Sequence, residues 1–586
     1  MTARITREMV LWLAILVVAA LLRFAALGWP PLNDREADLA LAAAQGTPSA
    51  SAFWEGGSEG IAASPAYYTL TRLLFGFFGA TDAGARFFPA LAGTLVVLLP
   101  LALRDRLGRM PAILAGLTLA LSPTMVAASR TAGGAAFALL GLGGWLALTS
   151  PSPPEASWRA RRIAGGVLAG LGLAAGPTAL TGALILAVGW GLSRLVDRER
   201  TASPGGGEAG WVGRQAVIAA AVALALASTL GARVEGLAGI FDSLGVWISG
   251  WGTAEGLPPL AWLLTLPLHD ILLFAFGVWG AIAGLRRRDR GAPFLVAWAM
   301  AGVMVLLVYP SRQAVDLAWI CLPLAILAGL ALRDILEGAR AAWSWAGHAL
   351  LVSALLLLAL FVLYQLSAYA LGRGPGLNPA EPRLSLVLVL IAGGLAVVMV
   401  ILFALGWSRE VARTSAGIAG FVVVGFMSLS TNWRLSLGAS AAGAGSLWRS
   451  QANTAGLTML VETLEGISQA RTGFTDALPI GVESPLPAGV AWALRQFPRA
   501  GTGSPDAPAE VVLAPEDSVP TDLPAEYLGQ VIKTGERWGW IGPLPPLQIV
   551  STGDWEALTL AERWVLLVRA DVATFGTLTE GLPGTP

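Results

Sequence analysis

The 586-residue chain carries 38 basic and 38 acidic side chains, so its formal net charge is zero, with 55% of residues hydrophobic and only 13% charged. Mean hydropathy is +0.66, whereas a soluble chain has about 25% charged residues. This balance excludes a soluble cytosolic enzyme, a disordered scaffold and a nucleic-acid binder, which needs a basic face. A lone cysteine, Cys321, and two histidines, His269 and His348, leave no intrachain disulfide and no multi-histidine metal centre.

A bilayer core of about 30 Å takes about 20 apolar residues per helix. Met9 to Leu27, behind Arg4 and Arg7, reads as a first retained span. Further apolar stretches lie near 85–103, 111–128, 132–149, 163–175, 177–192, 215–232, 263–285, 293–309, 315–332, 347–371, 384–406 and 414–430, with Gly176-Pro177 splitting one long run into two. Arginine clusters alternate with arginine-poor segments along this series: Arg104, Arg106 and Arg109, then Arg159, Arg161 and Arg162, then Arg286, Arg287, Arg288 and Arg290. Under the positive-inside rule these mark cytoplasmic loops, so the N-terminus is inside and the C-terminus outside after thirteen spans. The chain changes character after residue 430. Residues 431–586 read as one extracytoplasmic α/β domain, with helices over Thr454–Arg471 and Gly489–Phe497 and strands over Leu478–Val482 and Val511–Leu513. The expected architecture is a mostly α polytopic bundle of about thirteen transmembrane helices over 1–430, followed by that domain.

The first outer loop, 28–84, is far longer than an ordinary connection. It opens with Pro30-Pro31-Leu32-Asn33-Asp34-Arg35-Glu36-Ala37-Asp38 and continues through Trp54, Ser64-Pro65, Tyr67 and Tyr68 to an amphipathic run ending at Phe78. Asn33-x-x-Glu36 has the form of a helix capping box, with Asp34 supporting the positive end of the helix dipole. An ionised carboxylate at this place also has the chemistry of a general base, and the two readings are compatible. Arg86, Arg130 and Arg312 each fall at the predicted outer end of a span. Such arginines make bidentate phosphate contacts, or else snorkel to lipid headgroups. His269-Asp270, at the outer start of the eighth span, reads as an interfacial ion pair or a substrate-loop element. No metal cluster is assigned, although Asp34 and Glu36 offer hard oxygen ligands to a divalent cation.

Several segments together resemble the multi-pass GT-C glycosyltransferases that include protein O-mannosyltransferases and aminoarabinose transferases, nearest the prokaryotic subfamily labelled "flippase activity-associated". They are Asp34-x-Glu36-Ala37, Ser64-Pro65-x-Tyr67-Tyr68, Asp82-x-x-Ala85-Arg86-Phe87-Phe88-Pro89, Leu107-Gly108-Arg109, Leu121-Ser122-Pro123 leading to Ser129-Arg130, and Pro485-Leu486 with Trp492 and Arg495. The resemblance implies a GT-C fold with an external C-terminal domain. It implies transfer of a sugar, with inversion, from a polyprenyl-phosphate donor to a protein, lipid or glycan acceptor at the extracytoplasmic face. By the same resemblance the role of base or acceptor-site residue falls on Asp34 or Glu36; Arg86, Arg130 and Arg312 are the candidate contacts to the departing donor phosphate, and Tyr67, Tyr68, His269 and Asp270 the candidate substrate-loop residues. The chain departs from the family pattern where Arg35 separates the two acids, where Ala63-Ser64-Pro65 lacks a basic residue, and where Gly133 and Ala135 follow Ser129-Arg130. Those departures keep two alternatives in view: a non-catalytic relative that binds or helps to flip lipid-linked sugars, and a transporter, which would carry binding groups on broken helices near the membrane midplane.

Overall fold

The computed structural model describes residues 6–45, 64–149, 158–196, 206–252, 259–289, 291–341, 345–370, 372, 382–437, 451–483, 486–502, 509–520, 523, 525–538 and 559–573. Trp54 and Pro485 therefore lie outside the described residues.

The first helix, Arg7–Phe24, starts where the Thr6 hydroxyl accepts the Met9 N–H at 3.3 Å. Six described helices are long and apolar enough to cross a membrane, or eight if each of two bent pairs counts as one crossing. Other expected stretches fold as shorter apolar helices, among them Ala135–Thr149, Trp211–Ala227 and Ala292–Val308. The first bend, 64°, separates Arg109–Leu121 from Pro123–Ser129. Pro123 cannot donate a main-chain hydrogen bond, and Ser122 caps the new segment by accepting from Met125 N. The second, 94°, separates Trp262–His269 from Ile271–Arg287, with Pro267 in the last turn before it.

Helix Ala318–Ala341 is the axis of the bundle. In the crossing that contains it 94% of the apolar window is buried, against 11% for Trp345–Tyr369 and 6% for Arg383–Gly406. The latter two are peripheral, with most of their apolar surface turned outward, as lipid-facing helices require. Close approach to the axis depends on glycine: a Cβ on Gly280 would lie 1.9 Å from the Leu327 carbonyl oxygen.

Helix Arg409–Leu437 ends the membrane portion, and the next described residues form a separate six-stranded sheet. Its strands are β1 (Gln451–Asn453), β2 (Ile480–Val482), β3 (Ala500–Thr502), β4 (Val511–Pro515), β5 (Tyr527–Trp538) and β6 (Thr559–Arg569), in the order β1-β5-β6-β4-β2-β3. β2 pairs in parallel with β3 and β4, and the remaining pairs are antiparallel. Helices Ala455–Thr472 and Ala488–Leu494 stand close to the two expected from periodicity. The short one matters most, because it packs on helix Asp34–Gln45 from the first long loop. That loop supplies a second helix, Pro65–Phe78.

Candidate functional site at the turn after the first helix

The capping box at Asn33 forms as its spacing predicts. Asn33 Oδ1 accepts the Glu36 N–H at 2.9 Å, and Glu36 Oε2 accepts the Asn33 N–H at 3.2 Å. Glu36 does more than cap. Its Oε1 accepts from Arg86 Nε at 2.9 Å and its Oε2 from Arg86 Nη2 at 2.6 Å, a bidentate pair whose side chains are 4% and 3% exposed. The Ala132 N–H adds a fourth donor, 2.8 Å from Oε1. Arg86 also donates to the carbonyls of Leu27, Pro30 and Pro31, in the turn out of the first helix. Burying this pair is tolerable because nearly every lone pair and N–H is matched.

The other two expected arginines do similar work. Arg130 donates to the carbonyls of Arg23, Ala25, Ala26 and Trp29 at 2.7–3.3 Å, closing the C-terminal end of the first helix. Arg312 donates to Tyr309 O at 2.7 Å and to Leu306 and Leu307 O at 3.4 Å, closing helix Ala292–Val308. Glu36, Arg86 and Arg130 thus belong to one network around residues 23–36. Arg130 and Thr131 line a cavity of only about 10 Å³ with Thr124, Ala314 and Val315, which brings the Arg130 turn beside the segment following Arg312.

Asp34 faces the other way. Its Oδ1 accepts the Gly489 N–H at 2.9 Å, and the Asn453 side chain is a second partner. Asn453 also donates to Leu32 O. Nearby, Trp492 Nε1 donates to Asp82 at 2.7 Å, and Arg495 donates to Ala80 O at 2.9 Å with its guanidinium 3.8 Å from the Trp492 ring centroid. Asp34 is therefore the hydrogen-bonded seam between the membrane helices and the C-terminal domain. Burial pushes its carboxyl above the ordinary range, opposed by the hydrogen bonds from Gly489 and Asn453. Asp38, one helical turn on, is pushed up to about 6 by burial and by the Asp34 charge, opposed by Arg35. Glu562 on β6 is raised by burial and again by Asp34, opposed by Arg537. Arg35 is exposed, and its charge is felt at Asp38, at Tyr309 where helix Ala292–Val308 ends, and at Asp316 just before the axial helix.

Tyr67, buried in helix Pro65–Phe78, lies within electrostatic reach of Glu36 and Arg86, whereas Tyr68 packs against the apolar core. His269 and Asp270 sit elsewhere, at the 94° bend. Asp270 Oδ2 accepts the Ser122 hydroxyl and, at 3.3 Å, the Thr124 N–H, so the two helix breaks are stitched to each other. Asp270 is buried, and His269 beside it is half-buried. Among the described residues no group of three or more His, Cys, Asp or Glu side chains is arranged to hold a metal ion, and Glu36 spends both oxygens on a guanidinium. Glu36 is thus not placed as a metal ligand beside Asp34.

Sequence reasoning did not single out Asp38, Asn453 or Gly489 as parts of the site. Asp38 carried a signal, its i, i+4 spacing from Asp34. Asn453, more than 400 positions away in the chain, carried none.

No family model matches the sequence, and no curated protein matches it. Among solved structures, the chain is similar to ArnT from Cupriavidus metallidurans bound to undecaprenyl phosphate, with TM-score 0.57 and 16% identity over 96% of this chain and 98% of that one. The apo state of the same ArnT gives TM-score 0.54 and 17% identity over the same shares. The archaeal oligosaccharyltransferase AglB from Archaeoglobus fulgidus, in complex with an inhibitory peptide and a dolichol-phosphate, gives TM-score 0.42 and 13% identity over 87% of this chain and 69% of that one. The architecture is accordingly that of ArnT along nearly the whole chain, the multi-pass GT-C fold that the sequence resembles.

Proposed function

We propose that the chain is an inverting glycosyltransferase of the membrane face that bears the C-terminal domain, taking its sugar from a polyprenyl-phosphate donor. The supporting observation is the pair of carboxylates, Asp34 and Asp38, held at the seam between the two domains in a chain folded like an ArnT crystallised with undecaprenyl phosphate. Glu36, bound by Arg86 and two main-chain N–H groups, serves as the anchor that fixes the helix carrying the other two acids. Asp34 is positioned by Gly489 and Asn453, and Asp38 beside it is the base. In a single displacement the acceptor hydroxyl gives its proton to Asp38 while its oxygen bonds to the anomeric carbon. The bond from that carbon to the phosphate oxygen breaks on the opposite face, and polyprenyl phosphate leaves with the electron pair. A carboxyl titrating near 6 is ionised at neutral pH yet more basic than an ordinary aspartate, which suits the task. Arg35, exposed beside Asp38, is the cation placed to meet the donor phosphate.

A second reading, binding without transfer, draws on the three arginines: Arg86, Arg130 and Arg312 all engage main-chain carbonyls in this conformation. Purified protein incubated with a panel of radiolabelled polyprenyl-phosphate sugars and acceptors separates the two. Sugar release that falls with Asp38→Asn supports transfer. Donor binding without release across the panel selects the binding reading, and release unchanged in an Asp34→Asn, Asp38→Asn double variant removes the proposed base.

A further inference from the structure

A second basic feature lies far from the seam. The axial helix starts near Asp316, within reach of Arg35, and eighteen residues later Asp334 binds Arg287 at 2.6 Å. At 1.5 Å per residue that separation is about 27 Å, so Arg287 stands at the opposite end of the membrane portion. There a cavity of about 520 Å³ opens between helices Ile271–Arg287 and Arg409–Leu437.

Its lining is of two kinds only. Val278, Trp279 and Ile282, spaced three and four apart, form one face of their helix, and Arg286 and Arg287 end that stripe. Arg413 reaches in from the other helix, half exposed and oriented by Glu410 at 2.6 Å. Among the described residues no carboxylate lines the cavity. Val278 and Ile282 are 38% and 48% exposed within an apolar helix. From Ala275 to Arg286 the stripe runs about 16 Å at the helical rise, close to the roughly 15 Å depth of one bilayer leaflet.

A small hydrated anion would satisfy the arginines and make no use of the apolar wall. A solvent-facing protein surface would not need three cations gathered at the end of an apolar groove. One ligand class satisfies both ends: a phosphodiester headgroup on Arg286 and Arg413, with an acyl chain laid along Val278 and Ile282. Basic pockets between membrane helices bind anionic headgroups in this way, and guanidinium suits phosphate geometry. We infer that this cavity is a binding site for an anionic phospholipid of the leaflet opposite the C-terminal domain. The site is separate from the sugar-transfer reading and stands or falls without it.

The test is native mass spectrometry of the full chain in detergent, titrated with phosphatidylglycerol or phosphatidylcholine. Wild type should retain phosphatidylglycerol in preference. Arg286→Gln with Arg413→Gln should lower that retention at least about tenfold, at about 1 kcal/mol per basic side chain; Arg287 is left in place because it holds Asp334. Ile282→Trp keeps every charge, fills the groove and should lower retention too, so the proposal does not hang on the double variant folding. Equal retention of the two lipids by wild type, or phosphatidylglycerol retention unchanged in both variants, would overturn it. Displacement of the lipid by millimolar inorganic phosphate alone would also overturn it, by showing a free-anion site.

Discussion

Glu36 and Asp34 lie two residues apart on the same helix turn, and the protein treats them in opposite ways. Glu36 points into the membrane helices and is saturated: a bidentate guanidinium and two main-chain N–H groups occupy its oxygens. Asp34 points into the C-terminal domain, where it accepts from a main-chain N–H and an amide, with a second carboxylate one turn away. The contrast separates rigidity from reactivity. A carboxylate fully paired with arginine holds geometry, while one held by neutral donors and pushed up by burial is the easier to protonate. Alternation of facing along a helix, rather than adjacency in sequence, separates the surroundings of the two acids.

The largest effect should come from breaking the saturated side. Arg86→Ala leaves Glu36 buried without its counter-charge and should destabilise the protein by about 3–5 kcal/mol, seen as a lowered midpoint of thermal unfolding in detergent. Replacing both partners, Glu36→Leu with Arg86→Met, should recover part of the loss, because the buried charge is gone while the Leu27 and Pro30 carbonyls stay uncapped. If the single and double variants unfold alike, the ion pair is not what holds the turn. On the reactive side, Asp38→Asn should reduce sugar turnover by about 10²-fold or more with little change in unfolding. Glu36→Gln should show the reverse ranking, a stability loss exceeding its direct effect on chemistry. Identical turnover losses for the two would erase the distinction.

Smaller effects probe the seam itself. A Cβ on Gly489 would fall 1.9 Å from Asn453 Nδ2 and 2.8 Å from Asp34 Oδ1. Gly489→Ala should therefore cost about 1–3 kcal/mol as an overpacked contact, and it should loosen the C-terminal domain without melting the membrane helices. Limited proteolysis between residues 437 and 451 reports the first, and the retained helical circular dichroism the second. Trp492→Phe removes the hydrogen bond to Asp82 and shrinks the ring beneath the Arg495 guanidinium, and should cost about 1–2 kcal/mol in the same assay.

Much of the frame was legible in the residues. The capping box at Asn33 was readable because it is local, four residues long and independent of the rest of the fold. The apolar stretches were readable because hydrocarbon demands them. The positions of Arg86, Arg130 and Arg312 at helix ends were also plain, but not what they bind: the carbonyls they cap come from turns at 23–31 and 306–309 whose shapes are set by packing. The bend at Pro123 carries its own signal. The sharper one at His269 depends on Asp270 meeting Ser122 and Thr124 across the bundle, a contact between residues nearly 150 positions apart. Strands β5 and β6 escaped periodicity for a different reason. β5 includes Gly529 and Gly535 and shifts register between Lys533 and Gly535, so its alternation is interrupted where the eye would count it. Asp34 was visible as an acid and invisible as a seam, since Gly489 and Asn453 belong to a domain more than 400 residues away.

The smallest expected effect is the one that links the two faces of the helix. Asp38 titrates near 6 in the folded protein and at 3.8 in the ordinary case. Between those values the folded state holds more protons than the unfolded one, so its contribution to stability is full below about pH 4, is lost as pH rises through 6, and is constant above. The proposed base, however, must be ionised to work, so turnover should climb over the same interval in which that stability falls. The two trends have opposite signs and one cause. Asp38→Asn should flatten the difference in unfolding midpoint between pH 4.5 and 7 relative to wild type, and should remove the rise in residual turnover near pH 6. Should the variant keep both pH trends, the titrating group lies elsewhere along the seam, with Glu562 next to be replaced, since its carboxyl is raised by the same Asp34 charge.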